Sequence, residues 1–147
     1  MKISKLNLLS KLLSMAANIC VIVGIIIAGL SLYMTKESEK RQNAINAIST
    51  TRSSEFLKAY ARVKTAYNSR KTEDAASLID DLNYVMNVYD NIALLYINNL
   101  ADRCTIKNST YPAIKEVQSI ADAMSYPKEY RKNIDRTSVL MEKENCE

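Results

Sequence analysis

The chain has no histidine. That removes imidazole as a general base and as a metal ligand. Glycine is almost as scarce, because Gly24 and Gly29 are the only two and both lie in an apolar N-terminal stretch. The remaining sequence therefore cannot build a glycine-rich phosphate loop, and it can make few tight hairpins. Tryptophan is absent and Phe56 is the only phenylalanine, so tyrosine supplies nearly all the aromatic surface. The three cysteines, Cys20, Cys104 and Cys146, share no metal-ligand spacing. A strong basic excess is also missing. Three of the four excess positive charges come from Lys2, Lys5 and Lys11, so residues 36–147 are close to neutral. A dedicated nucleic-acid binder would carry a basic face and a recognisable motif. No nucleic-acid partner, no metal and no cofactor is expected.

What the chain does have is one uncharged run of 24 residues, Leu12 to Thr35, between Lys11 and Lys36. As a helix it reaches roughly 36 Å, enough to cross a hydrocarbon core of about 30 Å with some tilt. A cleaved signal peptide has a shorter apolar stretch of about 7–15 residues and a small-x-small cleavage site. The end of this run, Ser31-Leu32-Tyr33-Met34-Thr35, has no clean site of that kind. Cys20 sits inside the run behind Asn18 and Ile19, which does not suit lipidation. The reading is an uncleaved anchor: a basic tail over 1–11, a transmembrane helix over 12–35 and a helical domain over 36–147.

Charge decides the orientation poorly. Lys2, Lys5 and Lys11 on one flank are nearly matched by the juxtamembrane basic residues Lys36, Lys40, Arg41 and, further on, Arg52. Residues 36–71 hold nine basic residues against three acidic, and 72–147 hold eight against thirteen. A basic segment just after the membrane suits an anionic cytoplasmic leaflet. The expectation is a single-pass protein of the cell inner membrane with its body in the cytoplasm.

The domain reads as all-α. Apolar residues recur at Ala75, Leu78, Ile79, Leu82, Val85, Met86, Tyr89, Ile92, Ala93, Tyr96, Ile97 and Leu100, which keeps one helical face apolar for seven turns. Thr72 or Glu73 would begin this helix. Ile45, Ile48, Phe56, Tyr60, Val63 and Tyr67 form a preceding stripe, interrupted by Arg52, and no proline or glycine separates Met34 from Asn68. A helix continuous with the anchor is therefore expected, then a turn over 68–72 and an antiparallel hairpin. The polar stretch 102–110 reads as a second break. Pro112 would then lie in the first turn of a helix with Ile114, Val117, Ile120, Ala121 and Met124 inward. Pro127 would open a last helix using Tyr130, Ile134, Thr137, Leu140 and Met141. The architecture is an anchor followed by a bundle of about four helices.

Met86-Asn87-Val88-Tyr89-Asp90-Asn91-Ile92-Ala93 resembles the Leu-Asn-x-x-Glu-x-Ile-Ala signature of a bacterial family of membrane-anchored helical domains of unknown function. Lys40-Arg41-Gln42-Asn43-Ala44 after the anchor is similar to that family's basic segment, and Tyr130-Arg131-Lys132-Asn133-Ile134 to its Tyr-x-x-Phe stretch. The likeness spans residues 36–143. Asp90 stands where the family has glutamate, the family's C-terminal tryptophans are missing, and the connection over 105–111 differs. The resemblance implies a fold and a topology, and it brings no reaction.

Few residues suggest chemistry. Asp80 and Asp81 are adjacent, point about 100° apart on a helix and read as a solvated face rather than a cation site. Asp90 flanks the apolar stripe. It reads as the partner of a basic residue on a neighbouring helix, such as Arg52 or Lys64, with a functional carboxylate as the alternative. Asn83, Asn87 and Asn91 recur every four residues, as a wet face or an interhelical polar seam. Asn108-Ser109-Thr110 matches a glycosylation acceptor pattern and reads as chance. With a cytoplasmic body, Cys104 and Cys146 are expected as two reduced thiols, and they would pair only in an oxidising compartment. In the anchor, Ala16, Cys20, Gly24 and Ala28 make a small-residue strip of the kind that lets helices pack closely.

These features suggest a non-catalytic, membrane-tethered interaction or scaffold module, with the lipid bilayer and a protein partner or a second copy as its contacts. The alternative is a small membrane-active effector of defence or toxin type. Only Ser14, Asn18 and Ser31 are available to line a pore. A carboxylate-based enzyme centred on Asp90 is the remaining class.

Overall fold

The computed structural model describes residues 2–69 and 75–146, and every regular element among them is helical. Helix α1 covers Lys2–Thr50, α2 Ser54–Ser69, α3 Ala75–Ile97, α4 Arg103–Ala123 and α5 Lys132–Lys143, with a 3-10 turn at Lys128–Tyr130 before α5. The chain divides into two compact units, Met1–Ser38 and Glu39–Glu147. In the first, the large apolar side chains from Leu13 to Met34 are 47% to 70% exposed. This helix is long and apolar enough to cross a membrane.

The second unit is built around α3, which packs against α2, α4 and α5. Its buried side chains are Leu78, Leu82, Val85, Met86, Val88, Tyr89, Ile92, Ala93 and Tyr96, most of the expected stripe with Val88 added; Ile97 is half-buried, and the Ala75 side chain lies outside those described. Ile79 and Leu100 of that stripe are exposed. Leu100 lies beyond the helix end, and Ile79 sits at the stripe's margin. The expected helix start at Thr72 or Glu73 falls outside the described residues, as does most of the expected 68–72 turn. Helices α2 and α3 are antiparallel: Phe56 meets Tyr89 and Arg62 meets Asp81. Helices α4 and α5 are antiparallel too, since Gln118 bonds Asp135 while Lys107 reaches Glu144.

Three expected boundaries are corrected. The helix that continues from the apolar run stops at Thr50, and Thr51-Arg52-Ser53 make a turn closed by bonds to the carbonyls of Ile48, Ser49 and Thr50. Ser53 Oγ then accepts the Phe56 amide at 3.2 Å and caps α2. The turn resets the helical phase, so Ile45 and Tyr67 face solvent while Ala44, Ala47 and Ala59 are buried. The polar stretch after 102 is helix, capped by Asp102, whose carboxylate accepts the Thr105 amide at 2.7 Å. Pro112 consequently lies in mid-helix rather than in the first turn. Pro127 starts the 3-10 turn, α5 follows it, and Tyr130 is exposed.

A body without glycine still ends two helices with left-handed residues. Asn99 and Ser125 both have φ of 54°. Leu100 N bonds Leu95 O and Asn99 N bonds Tyr96 O, and the same pattern joins Tyr126 to Ala121 and Ser125 to Asp122. These are Schellman closures made with non-glycine residues.

Candidate functional site

The end of α1 is tied to the α3–α4 connection. Asn43 Nδ2 donates to Leu100 O at 2.7 Å, and the Asp102 amide donates to Lys40 O at 3.0 Å. Asp102 is held below the usual carboxylate range by its bonds from Thr105, helped by the nearby charges of Arg41 and Lys40. Two of the expected juxtamembrane basic residues thus stand beside a helix cap, whereas Lys36 and Arg52 are exposed. Next to this junction, α1 and α3 leave a groove of about 270 Å³. Its floor is Ala47, Val88, Ile92 and Leu95, and Asn43, Asn46, Thr50 and Asn91 supply its polar atoms. The groove offers neutral donors and acceptors over an apolar floor, and no acid or base.

Asp90 has neither expected partner. It accepts a bond from Asn133 Nδ2 of α5 at 3.2 Å. Arg52 is exposed in the 51–53 turn, and Lys64 pairs with Glu116 at 2.7 Å. The reason is register: the neighbour that α3 presents to Asp90 is α5, not α2. The asparagine series divides as well. Asn83 accepts from the Tyr126 hydroxyl at 3.0 Å, Asn87 is exposed, and Asn91 lines the groove. Asp81 forms a two-point ion pair with Arg62, with both contacts at 2.6 Å. Among the described residues, no group of three acidic or thiol side chains gathers in a way that would hold a metal ion. The strip Ala16, Cys20, Gly24 and Ala28 is solvent-exposed along α1, and a Cβ at Gly24 would meet nothing within 4 Å.

Two polar clusters escaped sequence reasoning because their members are far apart in the chain. In the first, the Tyr60 hydroxyl donates to Glu116 at 2.5 Å and Glu116 also binds Lys64. Burial, then the bond to Glu116, pushes the Tyr60 hydroxyl well above the ordinary tyrosine range. Burial, then the Glu116 charge, pushes Tyr89 up to about 12. Glu116 is held down by Lys64 first and Tyr60 second. These shifts all lead away from neutrality, where general acid–base groups need to sit. Between α4 and the start of α5, the buried Arg131 guanidinium pairs with Asp122, donates to Gln118 O at 3.3 Å and faces Asp135 at 3.5 Å through Nε.

The second cluster closes the C-terminal tail. Glu144 accepts from the buried Tyr96 hydroxyl and from Arg103, and its carbonyl accepts from Lys107. Arg103 also lies over the Tyr96 ring at 4.8 Å. Two residues further on, Cys146 is bonded to Cys104, with a Cα separation of 5.4 Å. The expected pair of reduced thiols is therefore a disulfide. Antiparallel α4 and α5 cause it: the end of α5 returns to the first turn of α4, 42 residues back in sequence. No spacing rule could have revealed that approach.

The fold and these clusters define a helical bundle following one long apolar helix, with side-chain networks that close the bundle and no assembled acid–base constellation among the described residues. The chain belongs to a family of domains of unknown function, DUF4760, whose model matches residues 18–144. No curated protein and no solved structure matches it.

Proposed function

We propose that this protein is a single-pass membrane-anchored helical module that works by binding another protein at the membrane surface rather than by catalysis. The observation that carries the reading is the bare apolar helix. An exposed patch far larger than the few hundred Å² usual for soluble monomers needs lipid or a partner to cover it, and from Leu13 to Met34 the helix is both uncharged and unburied. The matched family segment begins at residue 18 and so takes in most of that run. This favours a retained anchor over a removable leader. The body supports the non-catalytic part. Within each cluster the titratable groups are bound to one another in closing the bundle, and the groove is lined by amides, one hydroxyl and apolar groups.

Alkaline carbonate extraction of membranes from cells making the full chain tests the anchor. The protein is expected to remain in the pellet, and release into the supernatant would overturn the reading. A membrane-potential dye during induced expression tests the interaction role against the effector alternative, with an unchanged potential expected. Rapid depolarisation would transfer the reading to a bilayer-perturbing effector.

A further inference from the structure

We propose that residues 36–147 fold on the oxidising side of the membrane, with the N-terminal tail left in the reducing compartment, and that the Cys104–Cys146 bond fastens the C-terminal tail there. This rests on the anchored reading and replaces the cytoplasmic placement that the charge pattern suggested. Three observations carry it. The flanking charges of the apolar run nearly cancel, so the positive-inside rule leaves either orientation open. The folded bundle sets the Cys104 and Cys146 backbones 5.4 Å apart, within the 4.4–6.8 Å that a disulfide requires. Finally, the sulfur bond is not the tail's only fastening. Tyr96, Arg103 and Lys107 all hold Glu144, two residues from Cys146, and keep that end of the tail beside the start of α4. Thiols held together in this way oxidise in an oxidising compartment and are kept reduced in the cytosol.

The chemistry is thiol–disulfide exchange with a disulfide oxidant. One cysteine thiolate attacks the oxidant and releases its first thiol. The other thiolate then attacks the mixed disulfide and releases the second. The protein loses two electrons and two protons, and the oxidant leaves as two thiols. Cys20, the third cysteine, lies exposed on the apolar stretch of α1, outside the Glu39–Glu147 unit that holds the pair.

The test uses the full chain carrying Cys20→Ser in spheroplasts, whose outer envelope is opened and whose inner membrane is intact. An impermeant maleimide polymer is applied before and after an impermeant phosphine reductant, and the mass shift is read on a gel. The expected result is no shift before reduction and a two-polymer shift after it, without lysis. Three results would overturn the proposal: a two-polymer shift without reductant in these spheroplasts, the same shift only after their lysis, or a bond that the reductant reaches only after lysis. Parallel carbonate extraction separates this failure from failure of the anchor, because a membrane-retained protein with thiols accessible only after lysis rejects the orientation alone. A reporter enzyme that becomes active only in the oxidising compartment, fused after Glu147, reads the side independently of the cysteines. It is expected to be active, and an inactive but full-length fusion would also overturn the proposal.

Discussion

At the scale of single residues, helix ends carry much of the specificity in a body without glycine. Ser125 holds φ of 54° where glycine is the usual choice. A left-handed non-glycine residue costs about 1–2 kcal/mol, and glycine returns part of that gain as unfolded-state entropy. Ser125→Gly is therefore expected to stabilise the body by about 0.5–1 kcal/mol. Asn99→Gly should do less, because asparagine tolerates this region. Urea unfolding of the two variants checks the order. Asp102 makes the opposite case. Its carboxylate caps α4, and its folded pKa lies below the ordinary value of 3.8. A depressed acid stabilises the fold above its unfolded pKa, and that contribution is lost as pH falls through the folded one. Asp102→Ala should cost about 1 kcal/mol at pH 7, and the deficit should shrink below about pH 4. An equal deficit at pH 7 and pH 3 would contradict the carboxylate's role.

At the scale of elements, α4 and the tail behave as one closure. Helix α4 begins with a polar turn, and Pro112 interrupts its ladder by leaving the Asn108 carbonyl without an amide donor. Both residues are exposed, so water can take that position. The helix is held from outside: Ile106, Ile114, Val117 and Ile120 are buried against the bundle, and the disulfide fastens its first turn to the end of the chain. A cross-link closing a loop of this length restricts the unfolded chain by about 4 kcal/mol in the chain-entropy model, with measured values commonly 2–4. Reduction of the full chain in detergent should lower Tm by roughly 10–20 °C. Cys104→Ser should reproduce the drop and abolish the further effect of reductant. A reduced protein that melts with the oxidised one would show that the polar cluster around Glu144 is sufficient by itself.

At the scale of the whole molecule, two kinds of information were separately readable. The apolar run announced itself through its length and lack of charge, and α3 through a stripe that kept the helical period for seven turns. The stripe over 114–124 was equally clear, and Ile114, Val117, Ile120 and Ala121 are all buried. Where period and punctuation disagree, local pattern misplaces the helix boundary. Arg52 broke a stripe in a segment without glycine or proline, and the break proved to be a turn. A polar run before Pro112 looked like a loop and proved to be helix, because tertiary burial of Ile106 and Thr110 outweighed local polarity. The groove was not legible because its walls come from α1 and α3, with Thr50 and Val88 its nearest residues in sequence. Local pattern, set by short-range sterics and the hydrophobic effect, determined the helical class, the long apolar helix and most of the core. Only the packed bundle decided what meets across helices: Asp90 with Asn133, Tyr60 with Glu116, Tyr96 with Glu144, and Cys104 with Cys146. Those encounters depend on helix direction and register, which residue spacing along one chain does not encode.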